Sequence, residues 1–152
     1  MLLMHETPHH TPSPLGVLNS GQKTLAVAVG LIVKGNKVLL GKRTSGYYSG
    51  FWEYPGGKIE AGESSYGALI REMHEELDIC VSDATEVMHI KEQHPHTTVH
   101  LQAWHIHSFE GSIIANEQQE LQWCAIKRLN KTQVIPTNFP ITQFLTQLVT
   151  ER

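Results

Sequence analysis

The stretch that decides the fold is residues 57–79, GKIEAGESSYGALIREMHEELDI. Its first half is rich in glycine and polar residues, as loops are, and Ser64 or Ser65 can cap a following helix. Beyond these serines, apolar residues recur at the three- and four-residue spacing of one helical face, namely Tyr66, Leu69, Ile70, Met73 and Leu77. The sequence therefore predicts a loop that leads into an amphipathic helix.

Three glutamates project from one side of this predicted helix. At about 100° per residue, Glu72 and Glu76 lie together beside the apolar stripe, and Glu75 lies one step farther round. Like charges at these spacings repel each other, and the helix dipole disfavours negative charge in the last turns. A divalent cation bound between the glutamates would offset that repulsion. A ligand set that consists only of oxygen atoms suits Mg²⁺, with Mn²⁺ as a substitute. The pattern indicates a metal site; a solvated acidic face is the alternative.

The same stretch resembles the Nudix box, G-x5-E-x7-R-E-U-x-E-E-x-G-U, where U is aliphatic. Eight of the nine defined positions match, with Met73 as an aliphatic residue: Gly57, Glu63, Arg71, Glu72, Met73, Glu75, Glu76 and Ile79. So many residue types at fixed spacings form a strong motif. The departure is Asp78, where the box has a glycine that ends the helix in the left-handed conformation. Since Asp tolerates that conformation less well, we expect a modest stability cost and retained activity.

The flanking segments predict an α+β domain. An apolar run at 24–33 and the run at 37–43 surround a turn-like Lys-Gly-Asn, and together they predict a hairpin with a buried first strand. Further strands are predicted at 79–92, 97–109 and 120–126, followed by a closing helix marked by Ile141, Phe144, Leu145 and Leu148. Strands on both sides of a central helix define the α+β class. The resemblance implies more, the Nudix fold, an α/β/α sandwich around a mixed β-sheet.

Composition and charge exclude several other classes. Residues 1–22 contain scattered prolines without a period and predict a flexible tail, which leaves 23–152 as one Nudix hydrolase domain. The 12 Lys plus Arg against 15 Asp plus Glu give a formal net charge of −3, so no general footprint for a nucleic acid polymer is present. No apolar run approaches the roughly 20 residues of a membrane span. We expect a cytoplasmic protein, a monomer or weak homodimer, that binds neither membranes nor nucleic acid polymers.

The family resemblance, nearest to the MutT-like nucleotide-pool enzymes, implies a set of metal ligands. In the family, the glutamates that match Glu72, Glu75 and Glu76 bind divalent metals, together with the backbone carbonyl of the glycine that matches Gly56. In the family, the residues that match Glu63 and Arg71 form an ion pair with each other. That pairing implies that Glu63 and Arg71 organise the catalytic centre by holding the loop against the helix.

The implied reaction is attack by a metal-activated water on a phosphorus of a nucleoside triphosphate, which releases a nucleoside monophosphate and pyrophosphate. A carboxylate in or near the helix would be the general base, and Glu75 and Glu117 are both candidates. Glu117 follows Gly111 by six residues, where the MutT-like pattern has a loop glutamate near the metals. Glu117 is therefore also a candidate metal ligand. A surface charge in the sequence NEQQE is the alternative.

Two residues are candidates for binding the substrate. Arg43, at the end of the second predicted strand, matches an arginine with which MutT-like enzymes contact the phosphate or sugar; a solvated strand-end charge is the alternative. Asn138, in PTNFP, precedes the final helix and could cap it. It also matches the asparagine with which MutT-like enzymes hydrogen-bond the edge of 8-oxoguanine. An amide suits that role because it both donates and accepts hydrogen bonds. Both roles of Asn138 stay open.

The preferred base has two candidates. The MutT-like resemblance favours oxidised or noncanonical nucleotides, with 8-oxo-dGTP first and mutation avoidance as the purpose. The segments HLQAWHI and ELQWCAI instead resemble the bacterial CTP pyrophosphohydrolase branch, which has an acidic residue at the position of Asn138. A third hypothesis is a catalytically silent module that binds a nucleotide. The intact box residues argue against silence, because such modules usually lose box carboxylates.

Histidines are concentrated near the predicted strand at 97–109. The spacing of His105 and His107 puts both rings on one face of a strand. Since no Cys or carboxylate lies at a matching ligand spacing, we interpret these residues as ordinary surface histidines and not as a zinc site. The apolar alternation along the segment slips near Ala103 and Trp104.

Overall fold

The computed structural model of the chain describes residues 23–150. The tail predicted for residues 1–22 lies outside the described residues. The strands are β1 (Lys23–Leu31), β2 (Val33–Lys34), β3 (Lys37–Lys42), β4 (Trp52–Glu53), β5 (Gly56–Lys58), β6 (Cys80–Gln93), β7 (Thr97–Glu110) and β8 (Leu121–Ala125). The helices are α1 (Ser65–Leu77) and α2 (Phe139–Thr150), and Ile126–Lys131 and Pro136–Asn138 form short 3-10 helices.

The strands form two four-stranded sheets. The first has the order β5-β1-β7-β6, in which β1 and β7 are parallel and the other pairs are antiparallel. In the second sheet, β3 pairs antiparallel with β2, β4 and β8. The mixed sheet and the α+β class predicted from the sequence are confirmed.

The predicted first hairpin is only partly right. β2 and β3 form a short hairpin around Gly35, but the longer strand β1 pairs with β5 and β7 in the other sheet. Because β1 is apolar on both faces, it fits a central position with partners at both edges. The chain leaves the first sheet at Ile32 and enters the second at Val33.

The central helix α1 begins and ends as its sequence predicts. Ser64 is the N-cap residue, and its Oγ accepts a hydrogen bond of 2.9 Å from the backbone N–H of Gly67. Asp78 ends the helix in the left-handed conformation, with φ 60° and ψ 34°, and its N–H donates to the carbonyl of His74. The helix is thus held in a defined register, which fixes the direction of its glutamates.

Two apolar cores lie on opposite faces of the sheets. Val29 and Leu31 of β1 pack with Ile141 and Leu145 of α2, whereas Ala28, which points the other way, joins the core under α1. Burying a large aliphatic side chain contributes ~1.5–3 kcal/mol, so both helices are anchored mainly by these stripes. The resulting α/β/α arrangement is the expected sandwich. Within residues 23–150, none of the helices has the length and hydropathy to cross a membrane.

The irregular alternation along β7 arises because the two helices cover different ends of the strand. Leu101 and Ala103 lie in the core under α2, while Ile106 lies in the core under α1 with Trp104 packed against it. The buried face therefore changes between Ala103 and Trp104, as the sequence predicts. The neighbouring strand β6 has a register irregularity at the same level.

Candidate active site

The loop before α1 lies directly against two glutamates of the helix. The backbone N–H of Gly56 donates to Glu76 Oε1 over 3.0 Å. A Cβ atom at Gly57 would collide with the Glu72 carboxylate, and one at Gly56 would lie 2.6 Å from the Cα of Val29 in β1. Gly56 therefore requires glycine, because a Cβ atom there would meet the backbone of β1, whereas at Gly57 a Cβ atom would displace the Glu72 carboxylate.

Arg71 also ties the same loop to the helix. Its Nε donates to Glu63 Oε2 over 2.7 Å, and its Nη2 donates to Glu63 Oε1 and to the carbonyl of Lys58, each over 2.9 Å. These hydrogen bonds lower the pKa of the Glu63 carboxyl to about 2 and raise the pKa of Arg71. The pair closes the loop onto the helix with a bidentate, charge-assisted contact.

Glu76 lies in very different surroundings. Burial, together with the negative charges of Glu117 and Glu72, raises the pKa of its carboxyl to about 8, against the hydrogen bond from Gly56. Burial also raises the pKa of Glu72, although Arg71 Nη1 lies 3.0 Å from its Oε2. Carboxylates that repel one another in a partly buried position become favourable when a cation binds between them.

A cleft with a volume of ≈ 280 Å³ opens beside Glu76. Its charged lining comes from separate elements and comprises Lys42, Arg43, Glu53, Glu76 and Glu117. The end of β3 thus contributes two cations, whereas β4, α1 and the loop between β7 and β8 contribute carboxylates. This mixture fits a phosphate-bearing ligand that reaches the carboxylates through a bound metal ion.

The structure brings together some of the residues predicted for the site and separates others. Arg43 and Glu117 line the cleft with Glu76. Glu75 has a side chain that is 53% exposed, and its Oε1 lies 3.3 Å from Arg71 Nη1, so it belongs to the Arg71 side of the helix. The Nη1 atom of Arg43 lies 3.7 Å from Glu53 Oε1.

Asn138 does not itself line this cleft, but it contacts Tyr54, which lies between the lining residues Glu53 and Pro55. It is only 4% exposed, and its Oδ1 accepts a hydrogen bond of 3.2 Å from the backbone N–H of Tyr54. It is the last residue of a 3-10 helix and directly precedes α2. Since Tyr54 is followed by Pro55 and Gly56, the amide of Asn138 supports the loop that contacts Glu76.

The carboxylate oxygens of the site are ligands of the type that a hard divalent cation prefers. Within residues 23–150, however, no three His, Cys, Asp or Glu side chains are arranged so that they could hold one. Arg71 Nη1 contacts both Glu72 and Glu75. Glu76 is oriented by the hydrogen bond from Gly56, and the Glu72 carboxylate occupies the space that a Cβ atom at Gly57 would take. An all-oxygen set of this kind suits Mg²⁺ or Mn²⁺.

Glu53 is a cleft residue that the sequence patterns did not single out. It pairs across the sheet with Gly41, two residues before Arg43, and burial raises the pKa of its carboxyl while Arg43 lowers it. Its charge also adds to the negative field at Glu76. The sequence feature that could have identified Glu53 is a single acidic residue between two aromatic residues, just before the Pro-Gly-Gly loop.

The histidines form pairs away from the lining of the cleft. The rings of His105 and His107 lie 4.4 Å apart on one face of β7, and His107 Nε2 lies 2.8 Å from Thr85 Oγ1. His89 and His100 approach within 3.2 Å across β6 and β7. Burial, aided by His107, lowers the pKa of His105, which favours the neutral ring.

Comparison with known proteins gives consistent matches. The model of the NUDIX domain family matches residues 23–145. The CTP pyrophosphohydrolase of Escherichia coli K12 is 33% identical over 122 residues, 80% of this chain and 90% of the relative. The 8-oxo-dGTP diphosphatase of the same bacterium is 30% identical over 128 residues, 83% of this chain and 99% of the relative. Sequence identity therefore does not discriminate between these two enzyme activities.

Solved structures support the same fold. The solution structure of the E. coli ORF135 protein matches with a TM-score of 0.78 and 31% identity, over 92% of this chain and 98% of that protein. The MutT NUDIX hydrolase of Burkholderia pseudomallei matches with a TM-score of 0.64 and 27% identity, over 70% and 86% of the two chains.

Proposed function

The chain belongs to the Nudix family of hydrolases, which cleave phosphoric anhydride bonds in nucleotides, and we propose that it hydrolyses nucleoside triphosphates to a nucleoside monophosphate and pyrophosphate. The observation that carries this proposal is the partly buried carboxyl of Glu76, which faces the charges of Glu72 and Glu117 beside a cleft that contains Arg43. A cation and a triphosphate together would complete the charge balance of that cleft.

Mg²⁺ is the proposed cofactor, and Mn²⁺ can substitute. A divalent ion bound by Glu72 and Glu76, with Glu75, Glu117 and the Gly56 carbonyl as further ligands, would activate water and neutralise charge on the phosphates. Arg43 would bind a phosphate or the sugar, exchanging its contact with Glu53 for the ligand. Glu63 and Arg71 hold the loop in register with the helix and so position the glycines.

Glu117 and Glu75 are the candidates for the general base. Position favours Glu117, because it lines the cleft next to Glu76, whereas Glu75 is half-exposed and contacts Arg71. A base must reach the water within about 3 Å when the substrate is bound. Glu117→Gln should therefore lower kcat more than Glu75→Gln does. The reverse order, measured with saturating nucleotide and metal, would assign the base to Glu75.

A pyrophosphate-release assay tests the proposed activity. Wild-type protein should release pyrophosphate with Mg²⁺ and none with EDTA. Glu76→Gln should lower kcat by about 10³-fold, since the neutral amide is a poor ligand for a hard cation. Glu110→Gln is the matched control, because Glu110 is exposed at the end of β7, and it should retain wild-type turnover. Full activity of Glu76→Gln would contradict the metal role.

For the base, 8-oxo-dGTP is the first candidate and CTP or a modified pyrimidine nucleotide is the second. Asn138 supports the first, since its amide is of the type that reads an oxidised purine edge. Similarity to the CTP pyrophosphohydrolase of E. coli supports the second, as does the bond that already occupies Asn138 Oδ1. Comparing kcat/KM for 8-oxo-dGTP, dGTP, CTP and 5-substituted dCTP decides between them.

A variant of Asn138 separates base reading from support of the loop. Asn138→Ala should raise KM for 8-oxo-dGTP far more than for CTP if the amide contacts the base. An equal loss with both substrates, together with a lower Tm, would instead assign Asn138 to the hydrogen bond with Tyr54. The product analogue 8-oxo-dGMP provides a binding measurement that is independent of turnover.

A catalytically silent nucleotide-binding module is the competing hypothesis. It would bind nucleotides by calorimetry and release no pyrophosphate from any of them. The retained box carboxylates support the enzyme. We further propose that the enzyme acts in the cytoplasm on the free nucleotide pool, as a monomer or weak homodimer without a nucleic acid polymer, which analytical ultracentrifugation with and without duplex DNA would test.

A further inference from the structure

The C-terminal end of α1 is completed by the loop between β7 and β8. The last carbonyls of a helix have no partner within the helix and need donors from elsewhere. Here the backbone N–H of Ile114 donates to the carbonyl of Leu77 over 2.9 Å, and the N–H of Asn116 donates to the carbonyl of Glu76 over 3.1 Å. The loop is therefore attached to the same helical turn that carries the site carboxylates.

The side chain of Asn116 extends this attachment. Its Nδ2 lies 3.3 Å from the carbonyl of Glu75 and 3.4 Å from the carbonyl of His74. An amide nitrogen has two N–H groups, so one side chain can donate to both carbonyls. With its backbone N–H, Asn116 thus contacts three consecutive carbonyls of α1, and small movements of the loop along the helix are disfavoured.

The next residue in the loop is Glu117. Its negative charge acts on both Glu72 and Glu76, and its backbone N–H donates to Gln119 Oε1 over 3.2 Å. Since Glu117 is covalently joined to Asn116, the contacts of Asn116 fix where the backbone of Glu117 lies relative to α1, and so limit the positions that its carboxylate can reach. The adjacent Gln118 has a positive φ of 60°, which bends the chain away after Glu117.

We propose that Asn116 is a positioning residue that sets the separation between the Glu117 carboxylate and those of Glu72 and Glu76, and so determines how tightly these groups bind a divalent cation. The inference rests on the proposed function, in which Glu117 belongs to the metal site. The side chain of Asn116 donates to backbone carbonyls of α1 and not to the site carboxylates. Its effect is expected through Glu117 alone.

Mn²⁺ binding to the nucleotide-free protein is the primary readout. Asn116→Ala should bind Mn²⁺ about tenfold more weakly by calorimetry, the lower end of the effect of groups that orient metal ligands. In turnover it should lower kcat and raise the Mg²⁺ concentration needed, with little change in KM for the nucleotide. Asn130→Ala, an exposed asparagine in a 3-10 helix, is the matched control and should equal wild type. Wild-type Mn²⁺ affinity in Asn116→Ala would overturn the proposal.

A double-mutant cycle distinguishes positioning from a general weakening of the helix. If Asn116 acts through Glu117, Asn116→Ala should have no further effect on Mn²⁺ affinity in a Glu117→Gln background. Additive losses would overturn the proposal. Asn116→Ser retains one donor and gives a second variant should the alanine protein not fold; it should bind Mn²⁺ more weakly than wild type, and unchanged affinity would count against the proposal.

The same measurements separate this inference from the proposed function. If wild-type protein releases no pyrophosphate from any nucleotide, the proposed activity fails, yet the Mn²⁺ cycle still tests whether Asn116 positions Glu117. If wild-type protein is active and the cycle is additive, the activity stands and the role of Asn116 is wrong.

Discussion

Two neighbouring groups of carboxylates at helix α1 meet opposite electrostatic surroundings. In the first group, Arg71 donates two hydrogen bonds to Glu63 and lowers the pKa of that carboxyl to about 2. In the second group, burial and the charges of Glu117 and Glu72 raise the pKa of Glu76 to about 8. The first group contains its own cation, and we propose that the second binds one from solution. On that proposal, the difference distinguishes carboxylates that hold the loop against the helix from carboxylates that bind a ligand.

Glu72 connects the two groups. It is only 16% exposed, it lies beside Gly57, and it also accepts a hydrogen bond from Arg71 Nη1. A cation bound by Glu72 and Glu76 would therefore compete with the guanidinium of Arg71 for the oxygens of Glu72. How firmly Glu63 retains Arg71 should decide how much of Glu72 is available to the metal.

The largest effect that tests this division is expected from Glu63→Gln. Loss of the charge at Glu63 would free Arg71 to bind Glu72 and Glu75 more fully, so the Mg²⁺ concentration for half-maximal activity should rise ~10–100-fold. Glu60→Gln is the control, because Glu60 is 67% exposed and lies 3.8 Å from Arg71. Metal titration of turnover measures both variants. Equal, small shifts would mean that the Glu63 pair does not regulate access to Glu72.

The pH dependence of stability should have opposite signs in the two groups. In metal-free protein the raised pKa of Glu76 gives a contribution that is complete below about pH 4.5 and is lost as the pH rises through about 8. The lowered pKa of Glu63 gives a contribution that is present above about pH 4.5 and is lost as the pH falls towards about 2.

Thermal unfolding in EDTA measures the Glu76 effect. The Tm of Glu76→Gln should exceed that of wild type by an amount that grows between about pH 5 and pH 8 and then levels off. Glu110→Gln should follow wild type at every pH, and saturating Mg²⁺ should abolish or reverse the gain. A gap between Glu76→Gln and wild type that is independent of pH would refute the raised pKa.

The smallest effect is expected at Asp78, which lies at the end of α1 and outside both groups. Its left-handed conformation favours glycine, so Asp78→Gly should raise the free energy of unfolding by ~1 kcal/mol with unchanged metal activation. Asp78→Asn is the control, since it removes the charge and keeps the backbone constraint. If both variants gain equally in chemical denaturation, charge at the helix end, and not conformation, limits stability.

The sequence predicted the parts of the site that lie within one continuous stretch. Residues 57–79 predicted the loop, the capped helix and its left-handed end, because capping residues and helical periodicity are local signals. The Nudix box then gave the fold by resemblance. These are local or motif-based properties, and the structure agrees with them.

The parts that could not be predicted depend on contacts between distant segments. The pairing of β1 was wrong because an apolar strand does not specify which neighbour it takes. Glu53 enters the cleft through its pairing with β3, and Asn116 reaches α1 from a loop about forty residues away. Neither position shows a periodic pattern in the sequence. The bond between Asn138 and Tyr54 was hidden for the same reason.

Anomalous scattering from a crystal soaked in Mn²⁺ and a non-hydrolysable nucleotide tests most directly whether the second group of carboxylates binds the cation. We expect a manganese peak bound by carboxylate oxygens of Glu72 and Glu76, within reach of Glu117, with Arg71 still paired to Glu63 and phosphate oxygens completing the coordination. A peak at the paired histidines of β6 and β7, or a nucleotide bound elsewhere while Glu76 stays without metal, would contradict the account.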